Sequence, residues 1–130
     1  VLIWHKADVS IAYVCEDPTK FTSHSDSATT VPIGYEAITE LPRTEGYVLS
    51  MAHSTKGYSF AEKVGGSSNK GYCDYYWTPT GGSTWSAVGW YGALLSAHAN
   101  AGALAGFGYL YASHRSSTAS AYFGFRLCRF

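Results

Sequence analysis

The second half of the chain lacks acidic residues and lysine altogether. From Tyr75 to Phe130 the formally charged side chains are Arg115, Arg126 and Arg129 alone. Acid–base catalysis and calcium coordination both depend on clustered carboxylates, so this half provides few groups for either. Of the chain's 4 Trp, 11 Tyr and 6 Phe residues, 13 lie after residue 74. A segment so rich in aromatic rings, Ser, Gly and Ala favours binding contacts over covalent chemistry.

Charge is scarce throughout the chain. Charged residues make up 14% of the 130 residues, and the formal net charge is zero. Residues 1–74 hold nine acids, five lysines and one arginine, a net charge of −3, whereas residues 75–130 carry +3. A charge of +3 over that length is too weak for a nucleic-acid surface, so no nucleic-acid partner is expected. No apolar run approaches the roughly 20 residues of a membrane span, so no membrane insertion is expected.

The chain has three cysteines, Cys15, Cys73 and Cys128, and no CxxC pair. Their wide spacing disfavours a zinc site, and one disulfide with a free thiol fits the count as well as three free thiols do. Glycine-rich stretches such as 65–66 match neither a dinucleotide-binding fingerprint nor a phosphate-binding loop. No metal and no cofactor are therefore expected.

The length of 130 residues predicts a single domain over 1–130, built mostly of short strands. β-Branched and aromatic runs predict strands over 1–4, 9–14, 31–38 and 47–52. A turn is expected over 41–46, and residues 57–82 read as mostly irregular. Residues 85–98 fit either a helix or strands, and glycines inside them favour strands near 88–99, 105–112 and 121–129. A short helix near 57–64 or 83–89 stays open.

One aromatic run is a candidate contact face. On a strand, Phe107, Tyr109 and Tyr111 would point one way, and Gly108, Leu110 and Ala112 would point the other. Periodicity alone leaves open which face is buried. Two buried phenols would each need a hydrogen-bond partner, which favours an outward tyrosine face. Outward tyrosines supply large contact area at low entropic cost.

Two further groups extend this candidate surface. Residues 113–123 mix hydroxyls with His114, Tyr122 and Phe123, although a plain polar loop explains much of that composition. Trp85, Trp90 and Tyr91 lie among glycines. One of the two tryptophans is expected in the core, with Trp85 favoured for that place. Exposed aromatic side chains here could instead form a sugar-stacking platform.

The pattern disfavours an enzyme. A nucleophile needs a base and a group that orients the base, and the second half offers no carboxylate to orient any of the five histidines. Asp74 or Glu62 could reach a histidine only through folding. Paired carboxylates are not clustered in the sequence.

The ending Gly124-Phe125-Arg126-Leu127-Cys128-Arg129 resembles the closing strand of C-type lectin-like domains of the formylglycine-generating-enzyme type. The order of Ala105-Gly106, Arg115 and a Ser-rich stretch before that ending is similar to the same group. Within it, the chain resembles the variable proteins of diversity-generating retroelements found in phages and bacteria. The front part, with 32–34 and 46–51, resembles such proteins of gut Bacteroides and their phages.

The resemblance implies an α+β, C-type lectin-like fold of mostly short antiparallel strands with one or two helices. It implies a variable region at about 85–123, a closing strand at 121–129, and a scaffold that includes Arg115, Gly124, Phe125 and Arg126. In that family, error-prone reverse transcription rewrites chosen codons, and the rewritten residues form a ligand-binding face. The positions that correspond here are Trp90, Tyr91, His98, Asn100, Tyr109, Tyr111, His114, Ser120, Tyr122 and Phe123.

Departures from the pattern narrow the expected function. The second half has Cys128 alone where the formylglycine-generating enzymes use two cysteines, and the calcium motifs of sugar-binding C-type lectins are absent. The leading hypothesis is a non-enzymatic, ligand- or receptor-binding protein with a hypervariable surface, directed to a protein or glycan on a cell. Its expected location is a virion, in the tail or a receptor-binding structure, or a bacterial cell surface. The alternatives are a calcium-independent lectin or a structural or adhesion domain, and an exposed aromatic face leaves oligomerisation open.

Overall fold

The computed structural model describes residues 1–5, 9–21, 25, 27–78, 89–95, 102–104, 106 and 108–115. Eight strands account for half of the residues in this part of the chain. They are β1 (Leu2–His5), β2 (Ser10–Val14), β3 (Glu36–Leu41), β4 (Gly46–His53), β5 (Ser59–Val64), β6 (Tyr75–Trp77), β7 (Gly89–Leu95) and β8 (Leu110–Arg115). The helices in the described part are two 3₁₀ turns, Pro18–Lys20 and Gly102–Leu104. The fold is therefore mostly β-sheet with little helix.

The eight strands form one sheet in the order β3-β2-β1-β7-β8-β6-β4-β5. Neighbouring strands are antiparallel except β6 and β8, which run parallel. β7 and β8 thus occupy the two central positions, although they come last among the described strands. Trp4 on β1 faces Trp90 on β7, and Trp77 on β6 faces Tyr111 on β8.

The sheet curls around one hydrophobic core to which every strand contributes. Its members include Ile3, Leu41, Val48, Phe60 and Leu110. The edge strands β3 and β5 lie in contact, which brings the two ends of the sheet together. Burial on the concave side follows from strand alternation, because inward positions in each strand carry apolar side chains.

Two polar contacts link the edges where the sheet comes together. Glu36 on β3 forms a salt bridge with Lys56, which lies in the turn before β5. The Tyr58 hydroxyl donates a hydrogen bond of 3.0 Å to the Glu16 carboxylate, just after β2. These groups are exposed, so the enclosed core, rather than these contacts, supplies most of the closure energy.

Several predicted strands are confirmed. The runs at 1–4, 9–14 and 47–52 lie in β1, β2 and β4, and the runs near 88–99 and 105–112 overlap β7 and β8. The expected strand at 121–129 lies outside the described residues, and so does the possible helix near 83–89 except for Gly89, which begins β7.

Other predictions of local structure are wrong. The strand expected at 31–38 starts only at Glu36, because Tyr35 N–H donates to the Pro32 carbonyl across a turn in which Gly34 has φ +87°. Residues 59–64 form β5 rather than a helix or irregular chain, because pairing with β4 satisfies their backbone groups. Residues 75–77 form β6 between β4 and β8. None of the helices in the described part of the chain has the length and apolar character needed to span a bilayer.

Candidate ligand-binding site

Three neighbouring strands, β4, β6 and β8, carry aromatic side chains on the outer face of the sheet. The register pairs Tyr47 with Tyr75 and Trp77 with Tyr111. Continuing the β6–β8 register by one residue sets Tyr75 opposite Tyr109. Intervening residues of each strand belong to the enclosed core, so these five rings share the other face. They are called the aromatic row here: Tyr47, Tyr75, Trp77, Tyr109 and Tyr111.

The rings of the aromatic row contact one another in sequence across the sheet. The Tyr47 and Tyr75 ring centroids are 5.1 Å apart with an interplanar angle of 77°. Trp77 lies 4.6 Å from Tyr75 at 44° and 5.7 Å from Tyr111 at 50°. Tyr109 and Tyr111 are stacked at 13°, with centroids 6.5 Å apart. Most neighbouring rings are therefore tilted, and together they form corners rather than one flat platform.

Exposure varies along the aromatic row. Tyr47, Tyr75, Trp77 and Tyr111 are half-buried, whereas Tyr109 is 1% exposed. Burial raises the pKa of the Tyr109 hydroxyl well above its ordinary value. Burial also raises the pKa of Tyr75, with a smaller contribution from the negative charge of Glu45. The four half-buried rings are the part of the row that a partner can reach.

A carboxylate fixes the turn that leads into β8. The Asp74 side chain, 9% exposed, accepts a 2.8 Å hydrogen bond from the Gly108 backbone N–H. The backbone at Gly106 passes so close that a Cβ there would lie 2.1 Å from the carboxylate. The Tyr109 N–H then donates to the Gly106 carbonyl at 3.1 Å. Asp74, the last acid of the chain, thus helps to place Tyr109 and the start of β8.

The expected exposure of Trp90, Tyr91 and Tyr109 is wrong. Leu110 and Ala112 of β8 lie in the core, and Tyr109, which immediately precedes β8, is buried on the other side of the sheet. Strand alternation therefore places the tyrosines on one face and Leu110 and Ala112 on the other, but neither face is fully exposed. Tyr111 is half-buried and stays accessible to a ligand.

Trp90 and Tyr91 are structural residues on β7. The Trp90 ring packs 4.6 Å from Trp4 and 5.2 Å from Tyr13, and its indole N–H donates to the Ala28 carbonyl at 3.0 Å. This hydrogen bond holds the chain at Ala28, which precedes β3, against the outer face of the sheet. Tyr91 points inward and is completely buried. Trp90 is one buried tryptophan; Trp85, which the sequence favoured for the core, lies outside the described residues.

The other predicted contact positions are only partly described. The backbone of His114 lies on β8 with its Cα opposite Gly92 of β7. His98, Asn100, Ser120, Tyr122 and Phe123 lie outside the described residues, as do Arg126 and Cys128. Arg115, an expected scaffold residue, pairs with Tyr91 at the end of β8.

The sequence interpretation missed three members of the row: Tyr47, Tyr75 and Trp77. Tyr75 and Trp77 stand two residues apart, which is the spacing of one strand face. That signal is short, and the Pro and Gly residues that follow suggested an irregular segment instead. Nothing in the sequence shows that Tyr47, 28 positions earlier, would lie beside Tyr75.

A second polar cluster lies inside one end of the sheet. The buried His5 Nδ1 is 2.8 Å from Ser10 Oγ and 2.9 Å from Arg43 Nη1. Arginine only donates hydrogen bonds, so His5 Nδ1 must accept there. The same Arg43 nitrogen donates to Ser10 Oγ at 3.1 Å. The Ser10 hydroxyl oxygen accepts this hydrogen bond, and the His5 and Ser10 side chains are each at most 1% exposed. Ser10 is therefore not arranged as a nucleophile.

The two carboxylates that folding might have brought to a histidine have other partners. Asp74 holds the Gly108 N–H, and Glu62 accepts a hydrogen bond of 3.1 Å from the Ser50 hydroxyl. Cys15 and Cys73 are both free thiols. Within the described residues, no three His, Cys, Asp or Glu side chains are grouped closely enough to hold a metal ion.

A surface cavity of about 510 Å³ opens elsewhere, with Val14, Cys15, Phe21 and Tyr58 in its lining. Its carboxylate, Glu16, already accepts a hydrogen bond from Tyr58. The cavity is lined mostly by apolar side chains, and its carboxylate is already engaged by a neighbouring side chain. The aromatic row is the stronger candidate because its rings are ordered by mutual packing.

Comparison of the chain with protein-family models, with curated proteins and with solved structures finds no match.

Proposed function

We propose that this chain is a ligand-binding domain whose contact surface includes Tyr47, Tyr75, Trp77 and Tyr111. The observation that carries the proposal is a continuous run of half-buried rings across three strands. Large rings that are held at the surface by neighbouring rings provide contact area, and their side chains lose little conformational entropy on binding. No covalent step is part of the proposed function.

We expect a small number of residues to contribute most of the free energy of ligand binding. Apolar area removed from water contributes about 25 cal/mol per Å², and a few central residues usually dominate binding. Trp77 occupies the middle of the row, in ring contact with both Tyr75 and Tyr111. It is the residue whose truncation should affect a ligand most.

The finer proposal follows the family resemblance. We propose that the domain is C-type lectin-like, that a diversity-generating retroelement varies its binding surface, and that it acts on a virion or a bacterial surface. Tyr111 and His114 on β8 would then be varied contact positions beside the fixed rings of β4 and β6. Trp90, Tyr91 and Tyr109, which are buried, are assigned to the scaffold in this proposal.

Binding to immobilised glycans and to an array of bacterial surface proteins tests the domain's function. The Trp77→Ala and Tyr111→Ala variants should bind the captured ligand at least about tenfold more weakly, the loss expected of an anchor. Phe21→Ala removes a ring that is 60% exposed and outside the row, and it should bind like the unmodified chain. Equal losses in all three variants, or none in the row variants, would show that the row is not the site.

The same arrays separate the alternatives. Binding confined to glycans and unaffected by calcium chelation would define a calcium-independent lectin, whereas a protein ligand fits the leading proposal. The retroelement itself is tested in the flanking DNA. A near-copy of the 3′ coding region that differs at adenines, beside a reverse transcriptase gene, is the expected finding.

A further inference from the structure

Glu45 lies beside the aromatic row, immediately before β4. The β4–β6 register pairs Gly46 with Tyr76 and Tyr47 with Tyr75. Continuing it by one residue sets Glu45 opposite Trp77. Positions two apart share a face in extended chain, so Glu45 lies on the same outer face as Tyr47. A single carboxylate therefore adjoins the ring at the centre of the row.

The Glu45 carboxylate is incompletely satisfied within the described part of the chain. Its Oε2 atom is buried and has no hydrogen-bond partner there, although the residue as a whole is half-exposed. The salt bridges between described residues join Lys20 with Asp17 and Lys56 with Glu36. A buried carboxylate oxygen without a donor is costly, and such an atom indicates a site that a donor or a cation completes.

The rings nearest to Glu45 are of the kind that attracts positive charge. The Glu45 charge contributes to the raised pKa of both Tyr75 and Tyr76, which places the carboxylate within electrostatic reach of an outer and an inner hydroxyl. Tyr47, Tyr75 and Trp77 meet at angles of 77° and 44°. Tilted rings form a corner that suits a compact group, whereas a sugar ring stacks best on an open flat face. Aromatic faces attract cations, and tryptophan does so most strongly.

We infer that Glu45, Trp77 and the tyrosines beside them bind an ammonium group carried by the ligand. The inference rests on the proposed binding function and specifies the chemistry of the ligand. The carboxylate supplies the negative charge and the rings supply the walls. A methylated ammonium should bind more tightly than a primary one, because it is less strongly hydrated and places more apolar surface against the rings.

A matched pair of small probes tests the charge directly on the unmodified protein. Choline and its neutral isostere 3,3-dimethyl-1-butanol have nearly the same shape and differ in charge. Titration calorimetry, together with NMR of the indole N–H signals, should show choline binding at least about tenfold more tightly, which is the scale of one cation–π contact. Equal binding of the two probes, or no binding of choline, would overturn the inference.

Variants locate the site. Glu45→Gln keeps the side-chain shape but removes the charge, and it should weaken choline binding by about tenfold or more. Glu40→Gln, on an exposed β3 position, is the matched control and should leave choline binding unchanged. Trp77→Phe should weaken choline binding severalfold while keeping a ring in place. Unchanged choline binding in both Glu45→Gln and Trp77→Phe would place the cation elsewhere.

The outcomes are distinct from those of the wider proposal. If neutral ligands bind to the row and their binding falls in Trp77→Ala, the binding function stands and the ammonium assignment fails. If choline binds through Glu45 yet arrays of proteins and glycans give no ligand dependent on the row, the wider receptor-binding proposal fails instead.

Discussion

Tyr109 illustrates how a single residue changes role once its surroundings are known. Its hydroxyl and its place in an alternating run favoured an outward contact residue, whereas the structure buries it to 1% exposure against Tyr111. A side chain of this size that is fully covered stabilises the fold through its apolar area. In the proposed binding surface its contribution is therefore indirect, through the position of Tyr111.

We expect Tyr109→Ala to lower the free energy of unfolding by about 3 kcal/mol, the usual cost of truncating a buried aromatic residue. Tyr111→Ala, at a half-buried position, should cost clearly less. Urea denaturation followed by circular dichroism measures both. Tyr109→Phe is the control that keeps the ring and should recover most of the stability. Equal and small losses in the free energy of unfolding for the two alanine variants would show that Tyr109 is accessible rather than buried.

At the scale of an element, β8 depends on the turn held by Asp74. The turn packs its backbone directly on the carboxylate, with Gly106 beside it and the Gly108 N–H donating to it. Glycine is required at 106 because of this close approach. Gly46 gives a matched comparison: its φ of +158° is almost the same as the +159° of Gly106, but a Cβ there would meet Val64 at an ordinary 3.5 Å.

Gly106→Ala should therefore destabilise the fold by clearly more than Gly46→Ala, by about 2 kcal/mol, which is typical of overpacking. Thermal unfolding of the two variants gives the comparison. The double variant Asp74→Ala with Gly106→Ala should lose less than the sum of the two single variants, because removal of the carboxylate makes room for the new methyl group. Strict additivity would contradict the contact between Asp74 and the turn.

At the scale of the whole molecule, the curled sheet buries tyrosine hydroxyls from both of its faces. Tyr76 points into the core, where its hydroxyl donates to the Pro42 carbonyl at 2.9 Å, and Tyr109 is covered on the outer side. Burial raises the pKa of both hydroxyls well above the ordinary value, and for Tyr76 the hydrogen bond with Thr78 and the charge of Arg43 offset part of that shift. Folding therefore favours their protonated forms.

The stability that these hydroxyls contribute should be intact below about pH 10, the ordinary tyrosine value, and should fall as the pH rises further. The unfolded chain releases those protons more readily, so alkaline conditions favour unfolding. Absorbance of tyrosinate and circular dichroism, recorded in parallel from pH 9 to 13, should show a fraction of the tyrosines ionising only as the sheet unfolds. Ionisation of all tyrosines near pH 10 with the sheet intact would contradict the burial of Tyr76 and Tyr109.

The sequence by itself determined that the second half is rich in aromatic rings and poor in charge, and its β-branched and aromatic runs predicted β1, β2 and β4. Tertiary structure decided which aromatic residues are accessible. Tyr47, Tyr75 and Trp77 joined Tyr111 only through the pairing of β4, β6 and β8, and Trp90 was buried by Trp4, Tyr13 and the chain at Ala28. Exposure depends on what covers each face of the sheet, and those covering segments are distant in the chain.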